Sequence, residues 1–282
     1  MIKKALLIVI VLGIIGIVAL SARAPKEFVL KTARIDEASG IVRSILNEGI
    51  LWTHNDSGGE ASLYAIDTQG NLIATLQLPG IKNRDWEDIA IYKEPKSGES
   101  YLYVGEIGDN SARYPSVFVY KVPEPLFTDA DSIYTAQSVE KIEITYEDGA
   151  RDAEALFIDP HNADIYIISK REEQVGLYRV QAPDSKKTNK AVKTATLPLS
   201  WVTAADISPD GKKLLVKTYT SIWQYKLKRD KSGMVVTEGK PKTLPYRVEP
   251  QGEAICFDKK GKTYYTLSEA GLDSPQVLYY YK

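Results

Sequence analysis

Three glutamates recur in closely similar surroundings: Trp86-Glu87-Asp88-Ile89, Ala153-Glu154-Ala155-Leu156 and Gly252-Glu253-Ala254-Ile255. Other acids stand beside the same points: Glu37, Asp85, Asp88, Asp152 and Asp206. A second polar set follows one short apolar run later: Asn55, Asp56, Glu106, Asp109, Asn110, Lys170, Arg171, Glu172 and Glu269. Carboxylates gathered within a few ångströms cannot all stay ionised without a cation or basic partners. An all-oxygen donor set suits a hard cation, Ca²⁺ before Mg²⁺. One cysteine, Cys256, and two histidines, His54 and His161, exclude a Cys/His zinc centre and an intrachain disulfide. Glu87, Glu154 and Glu253 are therefore the candidate metal ligands. The alternative use of these acids is to pair with Arg84, Arg151, Lys170, Arg171 and Lys217, or to cap neighbouring strands.

Around such a cation, Asp109 or Asp206 could activate water, and Lys170 and Arg171 could offset charge on a phosphate or carboxylate. Asp56, Trp86, Glu106, Asn110, Glu172 and Glu269 are the candidate ligand contacts, with Trp86 and Trp201 as stacking surfaces or, alternatively, packing residues. Asp56-Ser57-Gly58-Gly59 carries the letters that surround a serine-protease nucleophile. However, His54 is too close in sequence to act as a separately placed base, and a tight turn accounts for Asn, Asp and Gly together. The chain has no Gly-x-Ser-x-Gly elbow, P-loop or dinucleotide glycine fingerprint.

The elements that would position these residues are short strands in a repeating order. One unit runs Ser39-Gly40-Ile41-Val42, Gly49 to Asp56, Ser62 to Asp67 and Asn71 to Leu76. The same order returns from Asp88, Glu154, Ala205 and Glu253. Tight turns at Asp210-Gly211 and Lys260-Gly261 fit glycine in positive φ. Openings aligned on Ser39, Glu87, Glu154, Ala205 and Glu253 stand 48, 67, 51 and 48 residues apart. That spacing suits four-stranded blades, with the long step holding an inserted loop around Pro123 to Ser138. The last unit stops one strand short, and an unpaired strand at residues 27–35 would complete it and close a ring. The expectation is an all-β fold, a β-propeller of five four-stranded blades closed by the N-terminal strand. A sixth blade hidden in residues 123–150 and a β-sandwich are the alternatives.

The opening residues Met1 to Leu20 pair Lys3 and Lys4 with an unbroken apolar run. Residues 1–24 are expected to be a signal peptide or N-terminal membrane anchor, followed by the propeller domain at 25–282. If the segment is not cleaved, residues 5–22 hold the protein in the membrane. Pro25 after Ala22-Arg23-Ala24 would hinder cleavage. Either outcome is extracytoplasmic: periplasmic, secreted or anchored facing outward. Residues 25–282 carry 33 basic against 37 acidic side chains with no basic block, so nucleic acid is not an expected partner.

The run Ser39-Gly40-Ile41, Leu51 to Asp56, Leu63 to Asp67, Trp86 to Ala90 and Tyr103-Val104-Gly105-Glu106 resembles the exported bacterial propellers grouped with the SdiA-regulated and esterase-like-phytase families. The likeness covers most of residues 37–110 and returns at Asp152 to Leu156 and Gly252 to Ile255. Asp88-Ile89-Ala90 and Glu154-Ala155-Leu156 depart from the Glu-Gly-Ile opening of those relatives. The resemblance implies a propeller outside the cytoplasm with calcium. The sequence leads to a binding or scaffold propeller for a small molecule, glycan or envelope protein. Its alternative is a metal-dependent hydrolase of an ester, lactone or phosphoester.

Overall fold

The computed structural model describes residues 24–129, 132–271 and 275–282. The expected export segment over residues 1–24 lies outside the described residues except for Ala24. No helix among the described residues is long and apolar enough to cross a membrane.

After β1 (Lys26–Val29), the chain forms β2 (Ala38–Arg43), β3 (Ile50–Asn55), β4 (Ser62–Asp67) and β5 (Leu72–Gln77), an antiparallel sheet that is the first blade. The second blade holds β6 (Asp88–Lys93), β7 (Ser100–Glu106), β8 (Val117–Pro123) and β10 (Glu140–Tyr146). Between them in sequence, β9 (Ser132–Thr135) leaves the second blade and pairs in parallel with β5 on the outside of the first. The inserted segment therefore widens an existing blade and builds no sixth one.

The third blade is β11 (Ala153–Ile158), β12 (Ile165–Ser169), β13 (Val175–Val180) and β14 (Asn189–Leu197). The fourth is β15 (Val202–Ile207), β16 (Lys213–Thr218), β17 (Ile222–Arg229) and β18 (Val235–Leu244). The fifth is β19 (Gly252–Phe257), β20 (Tyr264–Ser268) and β21 (Val277–Tyr281), completed by β1, whose residues pair with β21 from Lys26↔Tyr280 to Val29↔Val277. This is the five-bladed ring that the repeat predicts, closed by its first strand, so neither end of the chain leaves a long bare edge. The closing strand is shorter than the predicted 27–35.

Five apolar clusters fill the five gaps between neighbouring blades, which fixes the blade number independently of strand pairing. Trp52, Leu63, Trp86 and Val104 pack the first gap, and Tyr103, Ile144, Leu156 and Tyr178 the second. Phe157, Tyr166, Leu214 and Tyr225 pack the third. Leu215, Phe257, Tyr264 and Tyr281 fill the fourth, and Ile41, Leu51, Ala254 and Leu278 the last. Rings on neighbouring strands of one blade stack on each other, as in the cross-strand pairs Phe157–Tyr166 and Tyr264–Tyr281 with centroids 4.9 and 4.7 Å apart. Strands covered on both faces read as unbroken apolar runs, whereas outer strands such as β14 alternate with exposed residues.

The innermost strands β2, β6, β11, β15 and β19 surround the channel. At the same point in four of them the pairing skips one residue, a β-bulge that turns its side chain toward the channel mouth. The skipped residues are Ser39, Glu154, Thr203 and Glu253, and Glu87 precedes β6 at the corresponding place. The fourth position is thus Thr203, not Ala205. With that correction the segments Ala38-Ser39-Gly40, Ala153-Glu154-Ala155, Val202-Thr203-Ala204 and Gly252-Glu253-Ala254 share one pattern, a mouth residue followed by a small one.

Asp88 breaks that pattern. It stands where the other four blades have Gly40, Ala155, Ala204 and Ala254, and it occupies the space those small residues leave. Its Oδ2 accepts from the backbone N–H of Leu156 at 2.9 Å and of Ala205 at 3.2 Å, and its Oδ1 from Ile89 N at 2.9 Å. Inner strands present an unpaired edge to the channel, and a fully buried N–H without an acceptor is costly. Asp88 therefore joins three blades through their edges. The departure from a Glu-Gly-Ile opening has this structural meaning.

Candidate functional site

The mouth at the N-terminal ends of the inner strands carries the acids. Carboxylate oxygens of Asp56, Asp85 and Glu87 converge within 4.8 Å of one another. Asp56 follows β3 and Asp85 precedes β6, and the backbone bond from Trp86 N to Asp56 O at 3.2 Å holds the two segments together. Glu87 is 4% exposed. Asp56 Oδ1 is buried without a partner. Gly108 lies against the carboxylates of Asp85 and Glu87, where any Cβ would collide with them. The Gly108 backbone thus forms one wall of the site, and a side chain there would push the two carboxylates aside.

Burial, then the neighbouring Asp85 and Glu253, pushes the Asp56 carboxyl up to about 7. Burial, then Asp56 and Asp85, pushes Glu87 well above the carboxylate range, and burial with Asp152 raises Asp85. Across the mouth a hydrogen-bonded chain takes the other two predicted metal ligands. Lys170 Nζ pairs with Glu154 Oε1 and donates to Tyr219 OH at 3.1 Å, and Tyr219 donates to Glu253 Oε1 at 2.7 Å. The group converging on one point is therefore Asp56, Asp85 and Glu87, with Glu154 and Glu253 next to it but engaged by Lys170 and Tyr219. Glu154 Oε2 is left buried without a partner. Burial and Glu253 raise Glu269 to about 7, and Gln251 donates to its carboxylate.

The remaining predicted residues divide between mouth, loops and core. Asp109 accepts from Arg113 N at 2.9 Å and Tyr114 N at 2.7 Å, so both oxygens cap its own loop. Its backbone N–H donates to Asp152 Oδ1 at 3.0 Å. Arg171 bridges Asp152 and Asn110 Oδ1. Glu172 pairs with Arg151 at 2.8 Å. Glu106 receives Tyr120 OH at 3.1 Å and faces Arg84 at 3.6 Å. Trp86 is 0% exposed in the first inter-blade gap, edge-on to His54 at 5.7 Å, so its ring packs the core and is not on the mouth. His54 donates from Nδ1 to Asn55 O at 3.0 Å, and burial lowers it to about 4.

Asp206 stands at the opposite end of the channel. It lines a cavity of about 300 Å³ with Val42, Arg43, Ala90, Ile158 and Phe257, and its Oδ2 accepts from Phe257 N at 2.7 Å. It caps an inner edge as Asp88 does, and it is separated from the glutamates by the length of the inner strand. Burial pushes its carboxyl up to about 7. A carboxyl whose folded value exceeds its unfolded value favours the native state at low pH, and that contribution disappears as pH rises from about 4 to about 7. Asp206→Asn should therefore melt like the parent at pH 4 and be about 2 kcal/mol more stable at pH 8, after allowance for solvent in the cavity. Thermal melts at the two pH values test this, and equal stabilities at pH 8 would refute it.

Sequence reasoning missed Tyr219 and Thr203 at the mouth. Tyr219 is the first residue after β16, the place that Lys170 holds after β12 and Glu269 after β20. The repeat contained that signal, but a tyrosine does not stand out among charged candidates.

No protein-family model matches the chain, and no curated protein matches it. Among solved structures, it is similar to the hydrazine synthase of Kuenenia stuttgartiensis at 16% identity and TM-score 0.42, over 87% of this chain and 59% of that one. The chain thus spans less than two thirds of the hydrazine synthase chain. It is also similar to a luciferin-regenerating enzyme at 10% identity and TM-score 0.47, over 92% of this chain and 95% of that one.

Proposed function

We propose that this protein is an extracytoplasmic binding propeller that takes a divalent cation, Ca²⁺, at Asp56, Asp85 and Glu87 and uses it to hold an anionic ligand at the channel mouth. The observation that carries the reading is the convergence of the Asp56, Asp85 and Glu87 carboxylates within 4.8 Å, with Glu87 4% exposed and Asp56 Oδ1 buried without a partner. Only a proton or a cation offsets that arrangement, and hard oxygen donors favour Ca²⁺. Placement outside the cytoplasm is supported by Lys3 and Lys4 ahead of the apolar run and by the resemblance to exported SdiA-regulated and esterase-like-phytase propellers.

Binding is preferred to hydrolysis because the predicted water-activating residues have other tasks: Asp109 caps a loop and Asp206 caps an inner edge at the far mouth. A hydrolase would have to use a member of the cation cluster itself as base. Isothermal titration of the chelator-treated protein with Ca²⁺ tests the proposal. One saturable site is the expected result, and the absence of heat at millimolar Ca²⁺ would remove the reading.

A further inference from the structure

The mouth position two residues before each channel residue is polar in four blades: Glu37, Asp85, Asp152 and Gln251. In the fourth blade it is Trp201. The registers Ala38↔Asn55, Ala153↔Ser169, Val202↔Thr218 and Gly252↔Ser268 make these places equivalent in the first, third, fourth and fifth blades. Trp201 is 49% exposed, whereas Trp52 and Trp86 are fully buried and Trp223 is half-buried. Its backbone is also left-handed, with φ 59°, a conformation that strains a bulky side chain by about 1–3 kcal/mol.

Several contacts hold it there. Trp201 N donates to Lys170 O at 2.6 Å, and the Arg171 guanidinium carbon lies 5.2 Å from the ring centroid. Arg171 is itself fixed by Asp152 and Asn110. Asn110 belongs to the loop that Asp109 caps, and that loop ends in Tyr114, a second exposed ring, with the Arg84 guanidinium 3.9 Å from its centroid. One rim of the mouth thus presents two aromatic surfaces, each beside an arginine, next to the carboxylate cluster. The left-handed backbone belongs to the position, since Gln251 at the equivalent place in the fifth blade has φ 41°, so what sets the fourth blade apart is the large ring left exposed there, a surface suited to being covered by a ligand.

We propose that Trp201 and Arg171 form a stacking platform for the pyranose ring of a carboxylated sugar, as found in an acidic glycan. The flat C–H face of a pyranose matches an indole surface that already has a polar edge, and the Arg171 Nη1, on the side of the guanidinium away from the Nε bond to Asp152, supplies a donor for the sugar carboxylate. Without a cation the neighbouring acids repel such a ligand, and with Ca²⁺ they attract it, so the calcium dependence rests on the reading given under Proposed function. A neutral sugar would use the ring but neither charge.

The test is titration of the full chain with an oligogalacturonate, in Ca²⁺ and in chelator, against a neutral gluco-oligosaccharide of the same length. Saturable binding in Ca²⁺ is expected, at least tenfold tighter than for the neutral sugar. Trp201→Gly should weaken it at least tenfold and Arg171→Ala by a similar factor, whereas Trp201→Phe retains most of it. Glycine accepts φ 59°, so Trp201→Gly should melt no lower than the parent, which separates lost binding from lost folding. Equal affinity in Trp201→Gly and the parent, or no binding of the oligogalacturonate by the parent, overturns the platform. The parent's own Ca²⁺ titration distinguishes the two readings. Calcium binding without sugar binding defeats the platform alone. Sugar binding that persists in chelator and disappears in Trp201→Gly supports the platform and defeats the cation reading.

Discussion

Asp88→Ala is expected to destabilise the ring by about 4 kcal/mol, the scale for leaving buried hydrogen-bonding groups without a partner. The Leu156 and Ala205 N–H groups, on the inner strands of two other blades, would lose their acceptor, and the channel centre would gain a void. Packing alone would not compensate, because the residues around that point are already reduced to Gly40, Ala155, Ala204 and Ala254. Asp88→Asn separates acceptor loss from charge loss. Its amide oxygen can still accept from Leu156 and Ala205, and only the local bond from Ile89 is lost, so about 1 kcal/mol is expected. Burial already raises the Asp88 carboxyl well above its ordinary value, so neutralising it removes little that the fold uses. Denaturant melts of the three proteins at pH 7 are the measurement. Equal stability of Asp88→Ala and the parent would show that the inner edges are satisfied in some other way.

The second large effect is the calcium dependence of stability. A ligand that binds only the folded state at 100 to 1,000 times its dissociation constant stabilises by about 3–4 kcal/mol, which for a chain of this size is roughly 6 °C in melting temperature. That shift should appear on adding Ca²⁺ to the chelator-treated protein. In Glu87→Gln it should fall to a degree or two. The same variant should melt above the parent in chelator, because glutamine removes one of three mutually repelling acids from a buried position. The opposite signs in the two buffers are the discriminating feature. A purely structural glutamate would lose stability in both.

Fold and site were legible to different depths, and particular residues show why. The five-fold repeat, the strand left over at the N-terminus and the turns at Gly211 and Gly261 could be read directly, because strand length, alternation and turn chemistry are local properties. The parallel pairing of β9 with β5 could not, since nothing in the local pattern of residues 132–135 says which edge will accept it. The register of the fourth blade was also out of reach. Ala205 and Thr203 both open an apolar run, and only the bulge between Val202 and Ala204 decides which of them faces the mouth.

The acids divide along the same line. That carboxylates would gather at one end of a ring followed from their recurrence beside equivalent strands. Which of them converge depended on side-chain reach across blades. Lys170 and Tyr219 lie within reach of Glu154 and Glu253 and take them as partners, leaving Asp56, Asp85 and Glu87 together. Asp88, Asp109 and Asp206 are the same kind of residue in sequence, yet they bond to backbone N–H groups on inner edges and in a loop. By itself the sequence determined an all-β repeat whose equivalent strand ends carry acids, because periodicity and composition are written along the chain. The sixth blade and the sandwich were set aside only by the pairing of β9 with β5 and by the five inter-blade clusters. Only the tertiary structure decided which acids form a cation cluster, which hold the channel together, and that Trp201 and not Trp86 is the exposed ring. Those outcomes depend on distances and burial between residues tens of positions apart.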